Sequence, residues 1–278
     1  MVAGALASAP VRRAAEPHLV RAEGALLAAA TPRGWGYNGR TAADADTTAW
    51  VCRFLARRGG APSRARSLLE AFLGPGGAAR TFRGRERFGS WAGEHADVTP
   101  VVGLALLRLG APAATVVRVR SAVVRAYRAG AGWRAFWWSF DAYAVARSLE
   151  FLRVSGGVPV LCRRGLELPE PPASTPLERC ARLAVRLALG RPARAELEAL
   201  LAAQLPDGSF PPSTVLRVPS QSNRSTGSVH ADCERLYGTA VALSALSRAR
   251  AAGTGRPGRG DRDGAGAGVR AWEAAVRP

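Results

Sequence analysis

The sequence predicts an all-α protein assembled from repeated helix pairs, and three observations predict it. Apolar residues recur at three- and four-residue spacing along nearly the whole chain, with few stretches that alternate as a strand would. Glycine and proline gather between those stretches rather than inside them. A short pattern returns roughly every 45 to 50 residues, a period of stacked helical hairpins that build either a solenoid or a closed toroid.

Taken in order, helical spacing covers residues 18–30, 43–58, 63–73, 98–109, 113–129, 142–152, 177–189, 194–204 and 235–249. The breaks carry Gly59-Gly60-Ala61-Pro62, Gly74-Pro75-Gly76-Gly77, Gly110-Ala111-Pro112, Ser155-Gly156-Gly157, Pro169 to Pro172 and Pro206-Asp207-Gly208. Residues 211–229 form the longest irregular piece, read either as a flap over a cavity or as a surface loop. Beyond Ala252 the chain is too glycine-rich to pack, so residues 1–252 read as one domain and 253–278 as a disordered tail.

The repeat has four units. Asp46-Thr47-Thr48-Ala49 leads to Leu55, Asp97-Val98-Thr99-Pro100 to Leu106, Asp141-Ala142-Tyr143-Ala144 to Leu149, and Tyr237-Gly238-Thr239-Ala240 to Leu246. Each is preceded by glycine and an aromatic residue: Gly34-Trp35, Gly89-Ser90-Trp91, Gly132-Trp133 and Gly208-Ser209-Phe210. The pattern places several helix N-termini around one rim, where loops line a common pocket.

Composition narrows the function. The 278 residues are 47% hydrophobic, as in a globular protein, and no apolar run approaches the roughly 20 residues of a membrane span. The N-terminus lacks the basic start and long apolar centre of a secretory signal. Cys52, Cys162, Cys180 and Cys233 show no CxxC pair, which fits reduced thiols in the cytoplasm rather than a disulfide scaffold or zinc ribbon. All 39 basic residues are Arg, for a formal charge of +18. That charge fits nucleic acid, an anionic membrane surface or a phosphorylated substrate. The arginines are nevertheless scattered singly or in small groups such as Arg118/Arg120, Arg163-Arg164 and Arg248/Arg250, with no long basic run, as on solvated faces, so a nucleic-acid partner is not expected and peripheral membrane contact stays open.

The most informative segment is Asp44-Ala45-Asp46-Thr47-Thr48, two carboxylates two residues apart at the mouth of a helix, just after the aromatic turn Gly34-Trp35-Gly36-Tyr37. Two shielded acids this close cannot both ionise cheaply, so one holds its proton near neutral pH and has it ready for a poor base such as an alkene. Helix capping is the competing role for either aspartate. His230, Asp232 and Cys233 are metal-capable, but their order does not match a zinc pattern and no metal site is expected.

These residues resemble the class II terpenoid cyclases and the related squalene-cyclase and prenyltransferase repeat proteins. Asp44 to Ala49 is similar to their DxDD or DxDTT acid motif, and Gln204 to Phe210 to a QW repeat with Phe in place of Trp. Gly132-Trp133 and the unit from Asp141 are weaker echoes, and the likeness spans roughly residues 18–250. The resemblance implies a closed alpha/alpha toroid, with Asp46 as proton donor and Asp44 hydrogen-bonding within the acid cluster. Thr47, followed by Thr48, stands where many members carry a third aspartate.

It further implies a linear isoprenoid or prenylated substrate, cyclised through carbocations that aromatic faces stabilise. Trp35, Tyr37, Trp50, Trp91, Trp137, Trp138, Phe140, Tyr143 and Tyr237 are the expected lining. His95 is expected to tune the acid cluster, and Asp97 and Asp141 to reach the same rim or cap their helices. Protonation requires no cofactor; Mg²⁺ enters if the substrate carries a diphosphate. Familiar class II cyclases house the acid between two helical domains, so a homodimer mate, a second protein or the 211–229 flap must seal the cavity here. The alternative function is a non-catalytic prenyl-binding or partner-binding toroid in a biosynthetic pathway.

Overall fold

The computed structural model describes residues 12–128, 133–156, 174–222 and 227–254. The elements run α1 (Arg12–Ala28), α2 (Ala45–Arg58), α3 (Ala65–Glu70), α4 (Arg85–Phe88) with a 3-10 turn (Gly89–Ala92), α5 (Thr99–Arg108) and α6 (Ala113–Arg128). They continue with α7 (Ala142–Val154), α8 (Pro176–Ala188), α9 (Arg194–Ala202), β1 (Thr214–Val218), β2 (Ser228–Ala231) and α10 (Leu236–Thr254).

Local chemistry sets the ends that matter for function. Asp44 precedes α2 in an extended conformation, φ −122°, and its carboxylate accepts the Thr47 N–H at 2.7 Å, satisfying a donor the helix leaves open. The helix stops at Gly59, whose φ of 79° favours a residue without Cβ. Thr175 and Glu178 form a reciprocal capping box on α8, with Pro176 in the first turn.

Packing turns these helices into a toroid. α2 lies against α5, α5 against α6 and α7, α7 against α8, and α8 against α9 and α10. α5 is buried along Thr99–Leu106, the all-round burial of a central helix. It meets α7 closely because Gly103 has no side chain: a Cβ there would lie 2.6 Å from the Phe151 ring. A smaller core joins α8, α9 and α10 around Cys180, Leu183, Leu200 and Phe210. Phe210 enters it from the Gln204–Phe210 turn, where the Gln204 amide donates to the Gly208 carbonyl at 2.9 Å. Phe210 thus acts as a packing residue.

The structure corrects several expectations. Residues 211–229 contain a strand, β1, which pairs antiparallel with β2 where only a flap or loop is expected; residues 223–226 lie outside the described ones. α4 and its 3-10 turn fall in a stretch with no predicted helix, and α3 is shorter than the 63–73 spacing implies. α10 continues through Thr254, past the predicted domain end at 252, while residues 255–278 of the expected tail, the N-terminal residues 1–11, Gly132, Pro169 to Pro172 and Cys162 lie outside the described residues. Among the described residues no helix is long and apolar enough to cross a membrane.

Gly103→Ala should lower stability by about 1–3 kcal/mol in thermal denaturation, because overpacking at Phe151 outweighs the roughly 1 kcal/mol gained in helix propensity. Phe151→Leu in the same chain should return part of the loss. Equal or higher stability for the single variant would show that the α5–α7 contact has slack.

Candidate active site

The N-terminal ends of α2, α5, α7 and α10 bring their first polar residues to one rim. Asp46 sits one residue inside α2, and its electrostatic neighbours are Asp44 of its own turn, Asp97 before α5 and Arg147 on α7, with the Tyr143 and Tyr237 hydroxyls coupled to it in turn. Burial first, then repulsion from Asp44 and Asp97, push the Asp46 carboxyl up to about 8. Asp44 and Asp97 rise to about 6 through burial, restrained by backbone N–H donors. Asp46 Oδ1 is buried with no hydrogen-bond partner among the described residues, while the residue keeps some accessible surface. Trp50 Nε1, Asp97 Oδ1, Tyr143 OH and Tyr237 OH are likewise buried without a hydrogen bond of normal geometry among the described residues. So many orphaned polar atoms around one carboxyl mark a site rather than a finished core.

The two roles weighed for the aspartates divide between them. Asp44 is the cap, and Asp46, free of that duty, is the acid with the higher proton affinity. Thr47 offers its N–H to Asp44, whereas Thr48 is buried and its hydroxyl bridges the Trp35 N–H at 3.0 Å and carbonyl at 3.1 Å. Thr48 therefore pins the preceding turn to the helix.

Aromatic residues form two groups. Trp138 stacks on Tyr143 with ring centroids 4.0 Å apart and lies 5.3 Å from Tyr237 and 6.3 Å from Phe140. Trp137, turned the other way, meets Trp91 at 5.5 Å and Phe82 at 6.2 Å, and Phe82 stacks on Phe88 at 4.7 Å. The consecutive indoles thus serve different walls. Phe82, Phe88 and Phe136 escaped sequence reading because no repeat position marks them.

Two expected lining residues are placed elsewhere. Trp35 is a core residue, 3% exposed, with its indole N–H donated to the Leu26 carbonyl at 2.6 Å. Tyr37 is 72% exposed, and its ring points to solvent. Trp50 remains beside the acid, but its ring face is covered by the Arg53 guanidinium at 4.8 Å, which leaves its indole edge rather than its π face for a ligand.

His95 is also corrected: its hydrogen bonds go away from the acid cluster. Its Nδ1 meets the Thr81 hydroxyl at 2.8 Å, and that hydroxyl also accepts the Trp137 Nε1–H at 2.9 Å. Burial pulls the imidazole down to about 4, which keeps it neutral, and Phe136 stacks on it at 3.7 Å. Asp97 Oδ2 accepts the Phe136 and Trp137 N–H groups, both at 2.8 Å. Asp97 thus does reach the rim, holding the loop that carries both indoles. Asp141 is exposed, makes no side-chain cap and instead accepts the Ala135 N–H at 2.8 Å. The β1–β2 hairpin straps this loop down: Arg217 N–H donates to the Trp137 carbonyl at 2.8 Å, and Trp91 Nε1–H to that of Pro219 at 2.7 Å.

Deeper along the helices lies a charged cluster. Glu150 on α7 accepts Arg53 of α2 at 3.0 Å, Arg248 of α10 at 3.5 Å, and Arg147 of its own helix. No metal grouping occurs among the described residues: His230 bonds Ser228, and Asp232 accepts the Gly238 N–H in the first turn of α10. A cleft of about 470 Å³ lined by His95, Arg134, Phe136, Trp138, Asp141 and Arg217 does not include Asp46 and is separate from the acid.

Because Asp46 ionises near 8 in the folded chain against about 4 unfolded, its stabilising share is complete below about pH 4 and is lost as pH rises toward 8. Melting temperatures measured from about pH 5 to pH 9 should therefore fall more steeply for the native chain than for Asp46→Asn. Parallel curves would contradict the shift.

No family model matches the chain, and no curated protein matches its sequence. Solved structures do match its shape. The apo structure of the type II terpene cyclase MstE from Scytonema aligns with TM-score 0.71 at 23% identity, covering 89% of this chain and 85% of its own. A variant of MstE in complex with geranylgeranyl dihydroxybenzoate, its substrate, gives TM-score 0.72 at 22% identity over 88% of this chain and 85% of that one. ent-Copalyl diphosphate synthase from Streptomyces platensis gives 0.63 at 17% identity, with 88% of this chain matched to 49% of that one. The fold of this chain is that of the type II terpene cyclases.

Proposed function

We propose that the chain is a class II terpene-cyclase-like enzyme, which protonates an alkene of a linear isoprenoid or prenylated substrate and cyclises it. The observation that carries this reading is Asp46: a carboxyl held protonated through neutral pH, one oxygen unpartnered, at a rim faced by Trp138, Tyr143 and Tyr237. An alkene π bond takes the Asp46 proton to form a C–H bond, leaving a carbocation on the neighbouring carbon. Further double bonds of the folded chain attack in turn, each closing a ring and moving the charge onward. Loss of a proton to water, or capture of water, ends the sequence, and Asp46 regains its proton from solvent. Aromatic faces stabilise the travelling charge without bonding to it.

We assign the exclusion of water to the β1–β2 hairpin, which is hydrogen-bonded to the Trp91 and Trp137 segments. A variant of MstE, a chain of which this one covers 85%, binds a prenylated dihydroxybenzoate. A prenylated aromatic is accordingly the first substrate class to try, beside linear prenyl diphosphates. Proton transfer needs no metal; Mg²⁺ matters only for a substrate that carries a diphosphate.

Purified protein incubated with both classes, with and without EDTA, should yield cyclic isomers identified by mass spectrometry and NMR. Asp46→Asn should reduce turnover by about 10²–10⁴-fold or more while the fold and prenyl binding persist. Turnover should fall as pH rises through about 8, since only the protonated acid works. Prenyl binding without conversion of either class would favour a non-catalytic carrier.

A further inference from the structure

Three guanidinium groups converge on one carboxylate beneath the acid. Arg53, Arg147 and Arg248 all reach Glu150, whose side chain is 8% exposed. One anion against three cations is an unfinished balance in a buried place, where isolated charge is costly. The next anion along the structure is the one Asp46 becomes when it gives up its proton.

Helix geometry aligns the parts. Asp46 and Trp50 share a face of α2, four residues apart, as Tyr143 and Arg147 share a face of α7. The Arg147 guanidinium lies 5.8 Å from the Trp50 ring and 5.6 Å from the Tyr143 ring. It therefore stands one helical turn below Asp46, anchored from behind by Glu150, and its Nε is unpartnered among the described residues. The groups facing Asp46 are Asp44 from α2, Asp97 from the start of α5, Tyr143 and Arg147 from α7, with Tyr237 from α10 coupled to it. Among the described residues Arg147 is the cation that acts on Asp46. Those facing Glu150 are Arg53 and Arg57 from α2, Arg147 from its own helix and Arg248 from α10.

We infer that Arg147 and Glu150 are positioning residues that set the strength of the acid: Arg147 stabilises the Asp46 carboxylate formed on proton release, and Glu150 holds Arg147 in place while limiting the reach of its charge. The pair addresses a conflict in the site. Burial and two neighbouring carboxyls keep the proton on Asp46, yet an acid made too weak cannot protonate an alkene. A cation below the carboxyl lowers the cost of the anion that must form, and Glu150 prevents that cation from ionising Asp46 at rest. The electrostatics agree: burial opposes the charge of Arg147, but Glu150 overrides it and holds the guanidinium charged, while the three arginines draw Glu150 below the usual carboxylate range despite burial.

The inference rests on Asp46 being the acid, and its test is made without substrate. Infrared difference spectroscopy follows the protonated carboxyl band against pH, assigned by its loss in Asp46→Asn. Arg147→Gln should raise the Asp46 midpoint and Glu150→Gln should lower it, each corresponding to about a tenfold change in proton affinity. Arg147→Lys should restore the native value. Opposite signs matter, since a merely loosened structure moves both midpoints the same way. Midpoints unmoved, or moved together, in variants with native circular dichroism overturn the proposal. If Glu150→Gln does not fold, Arg147→Gln alone decides: a midpoint unchanged or lowered overturns it. Midpoints that move as expected in a protein that converts no isoprenoid would leave this device standing and remove the cyclase reading instead.

Discussion

A carboxyl group enclosed by protein beside two others is costly to ionise, and that cost organises the molecule. Asp46, Asp44 and Asp97 stand together at the rim, with Arg147 acting on Asp46 and Arg217 on Asp97, so the cluster minimises its energy by retaining protons. The division of labour follows. Asp44 and Asp97 spend carboxylate oxygens on backbone donors, which favours their ionised forms and leaves the proton to Asp46. A site of this kind opposes folding at alkaline pH, the common cost of building chemistry into a stable frame.

The frame keeps the acid in register with its aromatic walls. Asp97 links acid cluster and walls directly, since the oxygen that does not face backbone is the one left unpaired in the site. Neutral His95, through Thr81, fixes the edge of Trp137, and the β1–β2 hairpin holds the same loop from outside. Trp138 is left to stack on Tyr143 and face Tyr237. The Trp137 indole is thus fixed by its Nε1–H bond to Thr81, and that of Trp138 by stacking on Tyr143.

Much of this was legible in the sequence because helices advertise themselves by period and because the two-residue spacing of Asp44 and Asp46 is itself a chemical statement. The rim was legible too, through Asp97 and Tyr237 at repeat positions matching Asp46, and through Tyr143 two residues into its own unit. Three kinds of information were not. The hairpin is short, interrupted by an irregularity between Thr214 and Leu216, and set among serines and prolines, so no alternation announces it. The direction of a hydrogen bond is invisible in one dimension: His95, two residues from Asp97, bonds Thr81 on a different segment. Arg147 and Glu150 were hidden by background, since among 39 arginines scattered singly or in small groups no spacing distinguishes the one that meets a buried glutamate. Trp35 and Tyr37 failed for a related reason, because adjacency to the acid in sequence put one into the core and the other into solvent.

The central claim is that Asp46 carries a solvent-derived proton to a carbon atom of the substrate. Turnover in D₂O tests it most directly. The account predicts a cyclic product heavier by one deuterium, bound at the carbon that was the terminal alkene, with incorporation absent in Asp46→Asn. A cyclic product free of deuterium at that carbon, or formed with loss of diphosphate before any C–H bond is made, would contradict it.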